Sequence, residues 1–115
     1  MLDSTMLALA DPTRRAILQR LSHGEARVTD IARPFPMSLN GVSKHIRVLE
    51  RAGLVRRRRA GKEHLLSLDP GPLDHASAWI ESQRAEWTSR LDALDQLLQQ
   101  KEHEANRPKR KGTTT

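Results

Sequence analysis

SLNGVSKHIRVLERAGLVRRRRAGK, residues 38 to 62, is the stretch that decides the fold. Ser38 is placed to be an N-cap, because its side-chain oxygen can accept from a backbone N–H one turn on. Val42, Ile46 and Leu49 recur at i, i+4 and i+7, the spacing of a single apolar stripe on a helix. Asn40, Lys44, Arg47 and Arg51 fall on the opposite side of that wheel, with Ser43 on its shoulder. Gly53 follows the last periodic residue, where a helix ends most easily through a positive φ. Leu54 to Arg59 then reads as a strand, Ala60-Gly61-Lys62 as a tight turn and Glu63 to Leu68 as the returning strand. Across residues 38 to 62 eight bases (Lys44, Arg47, Arg51, Arg56, Arg57, Arg58, Arg59 and Lys62) stand against one acid, Glu50. A solvated surface predicts mixed signs, whereas this ratio points to a polyanion.

A capped helix followed at once by a cationic hairpin is the layout of a winged helix-turn-helix. The helix of such a domain enters the major groove and its hairpin reaches the flanking phosphates. VSKHIRVLERAGLVRRRRAGKEHLLSLDP resembles the signature region of the ArsR-type winged-helix repressors, in which Ser-Arg/Lys-His-Leu leads to Ala-Gly-Leu-Val and a Gly-tipped wing. Upstream, LALADPTRRAILQRLSHGE resembles the second-helix signature of the same family. The resemblance extends to about Glu104. It implies DNA contacts at Ser38, Asn40, Gly41, Ser43, Lys44 and Arg47, and at Arg57, Arg58, Arg59 and Lys62 of the wing.

The chain has 115 residues, a formal net charge of +6 and a pI of about 10.7. That length fits one domain, and the charge favours a nucleic-acid partner. There is no cysteine, so no disulfide framework, thiolate metal site or thiol switch. The opening MLDSTMLALA lacks the basic region of a signal peptide, and no apolar run nears the roughly 20 residues of a membrane span. A soluble, cytoplasmic protein is expected, with no membrane partner.

Leu2 to Ala10 reads as a first short helix. Asp11-Pro12 opens a second, with Asp as N-cap and Pro where its missing N–H costs nothing. Ile17, Leu18 and Leu21 form its inner face and His23-Gly24 its end. Arg14 and Arg15 stand in its first turn, where the helix dipole disfavours cations. Solvation is one reading of them; a nearby phosphate or carboxylate is the other. Val28 to Phe35 supplies a short third helix, and Phe35-Pro36-Met37 the turn into Ser38, with Phe35 and Met37 read as core beneath it. His45, at the edge of the apolar stripe, is either packed inside or a phosphate contact.

Asp69-Pro70-Gly71-Pro72 breaks the chain, and Leu73 to about Glu104 forms a long final helix. Leu73, Ile80, Trp87 and Leu94 recur every seven residues, with Leu91 and Leu98 each four residues after its predecessor, which is a seam for a partner helix. This segment holds seven acids against three bases, a net charge of −4, so DNA would repel it. The family uses the last helix to dimerise, and these six residues are the expected interface. Residues 1–104 are thus read as a DNA-binding and dimerisation domain, and residues 105–115, ANRPKRKGTTT, as a disordered basic tail.

No Gly-rich phosphate loop, His-Glu-x-x-His or elbow-type serine is present, so the chain is not read as an enzyme and no cofactor is expected. The resemblance suggests metal sensing, but the position of the thiolate pair is held by Arg27-Val28-Thr29-Asp30. Asp74-His75 and His103-Glu104 lack the spacing of the metal ligands other members carry on the last helix. The cysteine-free members with Pro-Phe-x-Met-Ser before the recognition helix match best. The expectation is a mainly α fold with a small β-hairpin: a homodimeric winged helix-turn-helix repressor on double-stranded DNA, with its effector ligand unknown. A low-specificity architectural DNA binder and a protein-interaction adapter working through the last helix are the alternatives.

Overall fold

A computed structural model describes residues 2–106. In chain order it contains α1 (Leu2–Leu9), α2 (Pro12–Leu21), β1 (Ala26–Arg27), α3 (Val28–Ala32), α4 (Leu39–Arg51), β2 (Val55–Ala60), β3 (Glu63–Leu68) and α5 (Gly71–Asn106). Two compact units divide the chain, one ending at Ala78 and one beginning at Trp79.

The first unit is built on the apolar stripes. Val42, Ile46 and Leu49 of α4 are wholly buried with Ile17 of α2, Leu54 and Leu66, and Leu18, Leu21, Ile31 and Val55 join them. A stripe at helical period on α2 and α4 meets a period-2 strand, and removing these faces from water is the main drive for the unit to fold. Ser38 caps α4 as its position predicts, accepting from the Gly41 backbone N–H at 3.1 Å. Gly53 ends the helix at φ +76°, a conformation that disfavours any Cβ. Asp11 caps α2 through the Arg14 backbone N–H at 3.0 Å.

The sheet has three strands in the order β1-β3-β2, all antiparallel. The first strand of the hairpin is displaced by one residue from Leu54 to Arg59: β2 begins at Val55 and ends at Ala60, which pairs with Glu63 so that Gly61 and Lys62 alone make the turn. The two-residue strand β1 was not expected. Ala26 pairs with Leu66 and Arg27 with Leu65, a contact between segments far apart in sequence that no local pattern announces.

Other boundaries move for identifiable reasons. Helix α3 stops at Ala32, and the chain leaves it through a turn in which the Phe35 N–H donates to the Ala32 carbonyl at 3.1 Å. Phe35 packs against the core, but Met37 is exposed, lying over Gly41 instead of beneath the turn. Helix α5 begins at Gly71, two residues before Leu73, because Asp69 accepts from the Gly71 N–H at 3.0 Å and opens the first turn. At its other end the helix includes Ala105 and Asn106, which were expected in the tail; the rest of that tail, residues 107–115, lies outside the described residues. No helix among the described residues is long and apolar enough to cross a membrane.

Candidate nucleic-acid interface

The outer face of α4 carries Asn40, Lys44, Arg47 and Arg51, all exposed, with Gly41 and Ser43 half-buried beside them. Lys44, Arg47 and Arg51 form no ion pair among the described residues. Ser38 spends its side-chain oxygen on the helix cap, so it positions the start of α4. His45 turns inward to α2, with Nδ1 3.3 Å from an Arg14 guanidinium nitrogen and 3.8 Å from Asp11 Oδ2.

Arg14 and Arg15 form no ion pair among the described residues, and both turn to main-chain carbonyls. Arg14 donates to the carbonyls of Ala8 at 2.8 Å and Leu7 at 2.9 Å, and Arg15 to that of Leu9 at 2.8 Å. These carbonyls lie at the end of α1, where the helix dipole favours cations, and that of Leu7 also accepts from the Ala10 N–H at 3.1 Å. The two arginines therefore latch α1 onto α2, and the unfavourable placement in one helix is offset by a favourable one in another.

Most of the wing's arginines have acidic partners. Arg56 pairs with Asp69 at 2.9 Å, Arg57 with Glu50 at 2.8 Å and Arg58 with Glu25 at 2.7 Å. Arg59 donates from Nε to the Gly61 carbonyl at 3.1 Å, and Lys62 at the tip is exposed without an ion pair among the described residues. Arg27 bridges Asp30 at 2.9 Å and Glu63 at 2.8 Å. The hydrogen bonds from Arg58 hold the Glu25 carboxyl below the usual glutamate range, and Glu25 in turn raises Arg58. Asp69 is likewise held low, chiefly by the Gly71 N–H and then by Arg56. Glu25 and Asp69 lie outside residues 38 to 62, so the excess of bases over that stretch gives no sign of these two partners.

A half-exposed helix bearing unpaired cations, preceded by a short helix and turn and followed by a Gly-tipped hairpin, is the geometry of a groove-reading domain. Residues 9–58 match a family profile described as a helix-turn-helix domain. Over 96 residues the chain is 43% identical to the HTH-type transcriptional regulator Rv2034 of Mycobacterium tuberculosis, covering 84% of this chain and 87% of that one. It is 32% identical over 79 residues to the transcriptional repressor SdpR of Bacillus subtilis, covering 69% and 88% respectively. The crystal structure of an ArsR family transcriptional regulator, RHA00566, superposes with a TM-score of 0.72 at 40% identity, covering 76% of this chain and 96% of that one. The chain belongs to the ArsR family. It is a DNA-binding winged helix-turn-helix regulator of transcription, free of cysteine.

In this ArsR-family member the segment that would hold a thiolate pair is tied up otherwise: Arg27 and Asp30 pair with each other. The expected interface residues fall into two groups. Leu73 is half-buried and packs on the core of the first unit. Ile80, Trp87, Leu91, Leu94 and Leu98 of the second unit are all about half exposed or more, with Trp87 at 68%. Trp79 and Leu97, which the seven-residue period does not include, are exposed as well.

Proposed function

We propose that this ArsR-family regulator is a homodimeric repressor that reads an inverted-repeat operator. Two α4 helices would enter successive major grooves about 34–36 Å apart, with Asn40, Ser43, Lys44 and Arg47 toward the bases and the wings toward the phosphates. The observation that carries this reading is the contrast within one unit: the arginines of the wing are largely paired with carboxylates, while Lys44 and Arg47 on α4 have no such partner among the described residues. Repression is favoured by the likeness to SdpR, whose name states that role for that protein. Dimerisation is favoured by Ile80, Trp87, Leu91, Leu94 and Leu98, a large apolar stripe left exposed on α5.

The test is a titration of binding with salt, on a duplex from the regulator's own upstream region and on a random duplex. Repressor function predicts tighter binding to the first at every salt concentration and reduced transcription from it. Equal affinities would leave a low-specificity architectural binder, and no binding to either would leave an adapter acting through α5.

A further inference from the structure

The three carboxylate partners of Arg56, Arg57 and Arg58 come from three separate places in the first unit: Asp69 after β3, Glu50 in the last turn of α4, and Glu25 before β1. Arg57 and Arg58 use both arms of the fork, through Nε and Nη2. Arg57 reaches the two Glu50 oxygens at 3.3 and 2.8 Å, and Arg58 the two Glu25 oxygens at 2.8 and 2.7 Å. A guanidinium engaged this way has given its Nε–Nη2 edge to a carboxylate and is held in that geometry, so a phosphate, which seeks the same bidentate contact, must compete for it. Each pair also presents DNA with no net charge.

Strand alternation places the two pairs on opposite faces of β2. Arg57 lies opposite the buried Leu66, on the face that α4 covers. Arg58 lies opposite Leu65, whose other neighbour is Arg27, so its bridge to Glu25 spans the central strand β3. The hairpin is thus tied to the recognition helix on one face and to the β1 edge on the other.

We infer that Glu25 and Glu50 are positioning residues that hold the wing by occupying Arg58 and Arg57, and that the wing's phosphate contacts are made by Arg59 and Lys62 at its tip. Among the described residues the terminal nitrogens of Arg59 have no partner, since its bond to Gly61 uses Nε alone. This inference rests on the DNA-binding reading and sharpens it.

The experiment measures log K against log salt on a random-sequence duplex. Each phosphate neutralised by a cation contributes about −0.9 to the slope. The double variants Glu25→Gln/Arg58→Gln and Glu50→Gln/Arg57→Gln remove a pair without changing net charge. They should keep the wild-type slope while lowering affinity at all salts by up to about fivefold per wing, as expected for losing a surface pair. Lys62→Gln should flatten the slope by about 0.9 for each wing bound, hence by roughly 1.8 for a dimer. The charge-swapped Glu25→Arg/Arg58→Glu protein restores the bridge and should bind as wild type does, which separates positioning from loss of fold. Flattening by either double glutamine variant would overturn the assignment of Arg57 or Arg58. A steep wild-type slope that Lys62→Gln leaves untouched would overturn the assignment of the tip. A wild type with no salt-dependent binding would overturn the DNA-contact reading itself, and this inference with it.

Discussion

Trp87→Ala tests the proposed dimer most directly. Trp87 is 68% exposed in the single chain. An aromatic side chain buries about 150–250 Å², so roughly 100–170 Å² of it is still open to cover by a partner. At about 25 cal/mol per Å² that is roughly 2.5–4 kcal/mol per protomer, and a symmetric interface loses it twice. Ordering and desolvation reduce the net, because buried area does not convert fully into affinity. Even half of the doubled figure, roughly 2.5–4 kcal/mol, weakens association about a hundredfold to a thousandfold. Operator affinity should fall with it, since joining two half-site contacts raises affinity through effective concentration. The assay is light scattering across a concentration series, with operator binding measured on the same samples. Sedimentation equilibrium supplies the dissociation constant. A variant that dimerises as tightly as wild type refutes the seam, and a wild type that binds its operator as a monomer refutes the dimeric scheme altogether.

Arg47→Ala should lower affinity for the operator by about 1–3 kcal/mol and leave the unfolding midpoint unchanged, because Arg47 has no ion-pair partner among the described residues; an unchanged ratio of specific to random affinity would exclude it as a base reader. Gly53→Ala should cost about 1–2 kcal/mol in urea unfolding. The strain is in the backbone at φ +76°, since the added Cβ would meet Pro72 only at an ordinary 3.6 Å; no loss of stability would show that this turn relaxes. Asp11, Glu25 and Asp69 all have folded pKa values below their ordinary ones, Asp11 chiefly through the Arg14 N–H. Their contribution is therefore complete above the ordinary carboxylate range and is lost as pH falls through the depressed values. Urea midpoints should decline on acidification, modestly because the groups are partly exposed and screened, and less in Glu25→Gln; a midpoint that rises in acid contradicts the sign.

What the sequence by itself determined is local. The cap at Ser38, the stripe of Val42, Ile46 and Leu49, and the stop at Gly53 each depend on residues within a turn or two, where helical period and the chirality of the backbone leave little choice. The hairpin and the amphipathic period of α5 were legible for the same reason, as was the family, through two motifs in order. Tertiary structure alone decided the rest. Strand β1 exists only because β3 offers it an edge. Arg14 and Arg15 could be placed only once α1 ended beside them. Leu73 and Trp87 share one seven-residue period, yet Leu73 packs on a core while Trp87 lies open, because period specifies a face and not what covers it. The charge of the wing shows the same limit. Four consecutive arginines read as one cationic surface, but the pairing of the first three with Asp69, Glu50 and Glu25 depends on three segments brought together by packing, and charge neutralisation acts through space and not along the chain.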